Sequence, residues 1–199
     1  MAVKWLRPAS PMADMGKRLF VSIDLDGLAE AIAAVQDRFE GASGLKFVDP
    51  EGAHVTLKFL GDTDPDRLPE LTDELTAAVE ESGVAPFEAR FGGLGAFPSE
   101  EYITVVWVGV REGGPAMTAL QAAIEDRTVA MGFDPEDHEF TPHVTVARMD
   151  HAGGKEQVQT VLREADPTVG PLDVTEVRLT ESVLTDDGPD YSTLESFEL

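Results

Sequence analysis

The phrase "GAHVTLKFLGD" carries His54-Val55-Thr56-Leu57, and "TPHVTVARMD" carries His143-Val144-Thr145-Val146, 143 − 54 = 89 residues further on. The chain has four histidines in all, so half of them sit in one repeated phrase. In an extended strand successive side chains point to opposite faces. Each copy therefore has an apolar side, Val55/Leu57/Phe59 or Val144/Val146, and a polar side holding one His and one Thr. A fold that accommodates both copies contains two β units of similar build, each packing its apolar face and leaving a His/Thr pair over.

The rest of the chain supplies such units. "KRLFVSIDL" reads as a strand, and Leu28, Ile32, Val35 and Phe39 recur at helical spacing before "GASG". "LKFV" and "HVTLKFL" read as strands around the turn "DPEGA", and Leu68, Leu71, Leu75 and Val79 mark a helix closed by Gly83. The second half repeats the theme. "FEARFGGLGAF" and "YITVVWVGV" are strands, Met117, Leu120, Ile124 and Met131 line a helix, and "HVTVAR" precedes the helix "GKEQVQTVLREA". "LDVTEVRLTESVLT" is a long strand or strand pair, and "YSTLESFEL" a last strand. Without strict βαβ alternation the expectation is an α+β fold: two pseudo-symmetric lobes of mainly antiparallel sheet with helices, and an active-site cleft between them. Residues 1–16 are expected to be a flexible N-terminal extension, and residues 17–199 a single bilobed domain.

Composition narrows the function classes. The absence of cysteine excludes disulfides, zinc–thiolate sites and cysteine nucleophiles. No apolar run approaches a membrane span and no secretion signal is evident, so a soluble cytoplasmic protein is expected. The 38 acidic residues outnumber the 15 Lys and Arg, for a net charge of −23. The excess is spread along the chain, which predicts a wholly acidic surface of the kind suited to a salt-rich (halophilic) cytoplasm. Such a charge lacks the basic footprint of nucleic-acid binding. In concentrated salt, however, long-range attraction to phosphate is screened in any case, so RNA is not excluded.

Two histidines facing one cleft form a minimal acid–base device, because an imidazole near pH 6.5 can either hold or accept a proton. Thr56 and Thr145 would offer hydroxyls to non-bridging phosphate oxygens. The set suits in-line displacement at phosphorus without a metal or other cofactor. Two His alone leave a tetrahedral metal short of ligands, and a metal site would have to recruit from Glu136, Asp137, His138 and Glu139 near the second phrase. Neither a G-x-S-x-G elbow nor a nucleotide-binding P-loop is present. Lys58, four residues after His54, falls on the His54 face by alternation and is a candidate substrate-binding residue. Arg148, five after His143, falls on the opposite face unless a bulge re-aims it. Phe20 and Trp107 are assigned to core packing, and His138 and His151 to solvent.

The double H-x-T-x signature resembles the 2H phosphoesterases, and in particular the RNA 2′,3′-cyclic phosphodiesterases formerly named 2′-5′ RNA ligases. The similarity extends through "RLFVSIDL", "FVDPEGAHVTLKFLGD", "FGGLGAFPS", "GFDPEDHEFTPHVTVAR" and "LTESVLTDDGPDYSTL". It implies hydrolysis of RNA 2′,3′-cyclic phosphate ends to 2′-phosphate ends, with ATP-independent 2′-5′ joining as a related reaction. It also implies His54 as proton donor, His143 as acceptor, Thr56 and Thr145 as phosphate ligands, and Arg148 as a further substrate contact. The expected substrate is an RNA end such as a tRNA fragment, bound by a monomer. A phosphodiesterase acting on small cyclic nucleotides and an RNA-end binding module are the alternatives.

Overall fold

A computed structural model describes residues 16–185 and 188–199; the expected extension lies, apart from Gly16, outside the described residues. The elements in chain order are β1 (Lys17–Asp24), α1 (Ala29–Gln36), β2 (Leu45–Phe47), β3 (His54–Thr63), α2 (Leu68–Ser82), β4 (Phe87–Ser99) and β5 (Tyr102–Glu112). They continue with α3 (Gly114–Ala130), β6 (His143–Met149), α4 (Lys155–Glu164), β7 (Thr168–Val174), β8 (Glu176–Thr185) and β9 (Gly188–Glu198). The helices follow the apolar spacings: Ile32, Val35, Leu71, Leu75, Met117, Leu120 and Ile124 are all buried. Gly83 closes α2 in the left-handed conformation, at φ 63°, where a side chain would be strained.

The strands form one continuous antiparallel sheet in the order β7-β4-β5-β6-β3-β1-β8-β9, with β2 joined to the outer part of β6. The order is a palindrome about the β6/β3 pair. β1 flanks β3 as β5 flanks β6, and β8 and β9 answer β4 and β7. The two expected lobes are thus the halves of one sheet. Its centre is joined at a single ladder pair, Val55 opposite Val144, and both valines are fully buried. The antiparallel register about that pair sets His54 beside Thr145 and Thr56 beside His143.

Two features follow partner choice rather than local pattern. β2 pairs with β6 and does not form a hairpin with β3. β7 and β8, separated only by Thr175, belong to opposite halves, β7 pairing with β4 and β8 with β1. A chain can step between such distant positions in one residue only because the sheet curls until its flanks approach. Among the described residues no helix is long and apolar enough to cross a membrane.

Candidate active site

Val55, Leu57, Val144 and Val146 are buried on the helix-covered side of the sheet, which turns His54, Thr56, His143 and Thr145 to the other face. Each imidazole is tethered in the same way. The Nδ1 of His54 lies 2.7 Å from the carbonyl oxygen of Gly52, and that of His143 lies 2.7 Å from the carbonyl of Thr141. A carbonyl only accepts, so Nδ1 carries a hydrogen in both rings, and Nε2 is the nitrogen left to gain or lose a proton. Diagonal neighbours on adjacent strands have Cα atoms about 7–8 Å apart, room for a phosphate between two imidazole edges.

Aromatic side chains hold both rings. Phe20 stacks on His54 at 4.8 Å and Tyr191 meets it edge-on at 5.3 Å. Phe97 meets His143 edge-on at 4.8 Å, and Trp107 lies behind at 6.1 Å. The Trp107 indole lies flat across β4 because position 95 is glycine; a Cβ there would overlap the ring. Phe20 is buried as expected, whereas Trp107 is only half-buried and stands outside the core, and both pack against the pair of histidines.

Burial is the main force on both imidazoles and holds each below its ordinary value. The tethering carbonyls oppose it in both. The remaining charges differ between the two. His54 has the Asp24 carboxylate nearby, which favours its protonated form, while Arg148 acts against it. His143 feels two positive neighbours, Arg148 and His54, which both favour its neutral form.

Arg148 reaches this face through a bulge. Along β6, Ala147 pairs with Val106 and Thr145 with Trp107, so Val146 is an extra residue that resets the alternation. Arg148 is exposed, and its charge acts on His54, His143 and Tyr191 together. The bulged Val146 carbonyl accepts from Val48 N at 3.2 Å and from the buried Gln36 Nε2 at 3.0 Å.

The same device corrects the expectation for Lys58. Along β3, Thr56 pairs with Ser22 and Lys58 with Val21, so Leu57 is the extra residue. Lys58 is turned into the protein, where its side chain is 1% exposed and its Nζ lies 2.8 Å from Glu125 and 3.7 Å from Glu136. It donates to the Asp134 carbonyl at 2.6 Å. The contact with Glu125 is ionic rather than an aligned hydrogen bond. Lys58 therefore ties β3 to α3 and does not reach the cleft. Phe59, assigned above to the apolar face, stands on the site face instead, 46% exposed and 6.0 Å from Phe20.

Among the described residues no three His, Asp or Glu side chains are grouped to hold a metal ion. His138 is exposed, and His151 caps a surface turn by accepting from Gly153 N at 3.2 Å. Sequence reasoning passed over Phe59, Phe97, Gln36 and the contacts of Tyr191. Only the aromatic character of three of them hinted at a role.

Known proteins resemble this chain in sequence and in fold. The RNA 2′,3′-cyclic phosphodiesterase of Methanothermobacter thermautotrophicus is 37% identical over 188 residues, covering 93% of this chain and 100% of the relative. That of Archaeoglobus fulgidus is 35% identical, covering 91% and 99%. The Thermus thermophilus protein TT0787 superposes with a TM-score of 0.73 at 28% identity, over 92% of this chain and 97% of that one. Escherichia coli LigT, in complex with 3′-AMP, superposes at 0.75 over 92% and 98%; at 22% identity the likeness is one of fold. Residues 25–185 match the 2′-5′ RNA ligase superfamily. Two tethered histidines on the central strands of one palindromic sheet, together with these similarities, lead to one conclusion: this chain belongs to the 2′-5′ RNA ligase superfamily.

Proposed function

We propose that this protein hydrolyses RNA 2′,3′-cyclic phosphate ends to 2′-phosphomonoester ends by paired-histidine catalysis. The observation that carries the reading is the equivalent tethering of His54 and His143, which leaves both Nε2 atoms for proton transfer on one face of the sheet. His143 takes a proton from water as the water oxygen bonds to phosphorus. The P–O3′ bond breaks, and His54 protonates the departing oxygen. The charge asymmetry supports this order, since Asp24 favours a protonated His54 while Arg148 and His54 favour a neutral His143. Thr56 and Thr145 donate to the non-bridging oxygens, and Arg148 balances their charge.

Both proton transfers are assigned to side chains of this chain, so the reading requires neither a metal nor ATP. When a 5′-hydroxyl replaces water as the attacking group, the same geometry joins two RNA ends by a 2′-5′ linkage. Relatives named RNA 2′,3′-cyclic phosphodiesterase support the substrate class. In this reading the enzyme works as a cytoplasmic monomer on ends such as those of tRNA fragments. The test is product analysis in molar salt, with chelator present, on an oligonucleotide ending in a 2′,3′-cyclic phosphate. A 2′-phosphate product supports the reading; a 3′-phosphate product, or dependence on a divalent ion, contradicts it.

A further inference from the structure

A cavity of about 260 Å³ opens beside His54, lined wholly by the first half of the sheet and its loops. The rings of Phe20, His54 and Tyr191 form its walls, with Tyr191 edge-on to Phe20 at 5.4 Å and to His54 at 5.3 Å. Asp49, Glu51 and Asp190 line it as well. Asp24 also faces it, but the carboxylate of Asp24 is occupied by Ser22 Oγ at 2.7 Å and Arg178 at 2.8 Å. Among the described residues lining the cavity there is no Lys or Arg, so its carboxylates repel a phosphate and accept N–H donors. Aromatic walls stack on flat rings of any base. The volume lies just below the roughly 300 Å³ at which small-molecule clefts begin, room for one ring system and not for a length of chain.

We infer that this cavity binds the nucleobase next to the terminal one, so that the enzyme acts on oligonucleotide ends in preference to cyclic mononucleotides. The terminal nucleoside is bonded to the reacting phosphate through O2′ and O3′, which keeps its base at the centre of the cleft with Phe59 and Arg148. Phe20 lies between Phe59, at 6.0 Å, and Tyr191, at 5.4 Å. Phe20 itself is buried, so the ring surfaces left open to bases are those of Phe59, 46% exposed, and Tyr191, 38% exposed, one on each side of it. Carboxylate acceptors favour a penultimate base with an exocyclic amino group over uracil.

The inference rests on the RNA-end reading above and is tested with two substrates sharing one terminal nucleotide, a dinucleotide and a mononucleotide, each ending in 2′,3′-cyclic phosphate. One stacked base corresponds to about tenfold or more in kcat/KM. The wild-type protein is expected to favour the dinucleotide by that factor. Thr193→Phe, which fills the cavity, and Asp190→Ala are each expected to reduce the factor to about twofold, a ratio that any general loss of activity leaves unchanged. Equal kcat/KM for the two substrates in the wild-type protein, or an undiminished preference in both variants, overturns the inference. Absence of turnover on both substrates by the wild-type protein overturns the RNA-end reading instead.

Discussion

Arg148 stands in the second half of the sheet where Phe59 stands in the first. Each is the fifth residue after its histidine, and each follows a bulge at the third, Val146 or Leu57. The pseudo-twofold therefore extends beyond the H-V-T phrases to the distortion that follows them, and it delivers one cation and one aromatic ring to the same cleft.

Arg148 lowers the proton affinity of both histidines. Removing its charge stabilises both imidazolium forms, so Arg148→Gln is expected to move both limbs of the kcat/KM–pH profile to higher pH. The lost charge-assisted contact with phosphate is worth about 1.5–3 kcal/mol, or roughly 10–100-fold in kcat/KM. Steady-state kinetics across pH 4–9 checks both effects. Unmoved limbs would remove Arg148 from the site.

Lys58 is predicted to matter for stability instead. Lys58→Ala leaves Glu125 facing the interior without its cation, and breaking a buried pair costs about 3–5 kcal/mol. Glu125 keeps 20% of its side chain exposed, which places the expected loss near the lower end. Denaturant unfolding measures it. A variant of wild-type stability with kcat/KM reduced a hundredfold would instead restore Lys58 to the cleft.

These two residues mark how far the sequence could be read. Alternation is a local rule, and it correctly joins His54 with Thr56 and His143 with Thr145 across two residues. A bulge depends on the register of the neighbouring strand, which local pattern does not encode, so the rule inverts at Leu57 and Val146 and misplaces Lys58, Phe59 and Arg148. The helices were legible because burial imposes its period on their own residues. The pairing of β2 with β6, the parting of β7 from β8, and the arrival of Tyr191 at His54 are decided by residues remote in sequence.

The acidic surface carries its own expectation. With a net charge of −23, self-repulsion acts over a Debye length of about 10 Å at 0.1 M salt and about 3 Å at 1 M. We propose that the fold is adapted to concentrated salt. The melting temperature is expected to rise by more than about 5 °C from 0.1 M to molar potassium chloride, equivalent to roughly 1–2 kcal/mol for a chain of this size. A melting temperature independent of salt contradicts the proposal.

Burial and Arg148 hold the proton affinity of both histidines below that of an ordinary imidazole. The bell-shaped kcat/KM–pH profile of the free enzyme is therefore expected to have both limbs below about pH 6.5. Phosphate bound between the rings favours their charged forms, so the kcat profile is expected to lie at higher pH than the kcat/KM profile. A profile with one limb only would indicate a single titrating group.

The most direct measurement compares His54→Ala and His143→Ala with the wild-type protein on an RNA end bearing a 2′,3′-cyclic phosphate, with circular dichroism to verify folding. General acid–base catalysis contributes about 10²–10⁴-fold for each group. Each substitution is expected to lower kcat by at least a hundredfold while the fold is retained. Turnover that survives either substitution within about tenfold of wild type would contradict the paired-histidine mechanism.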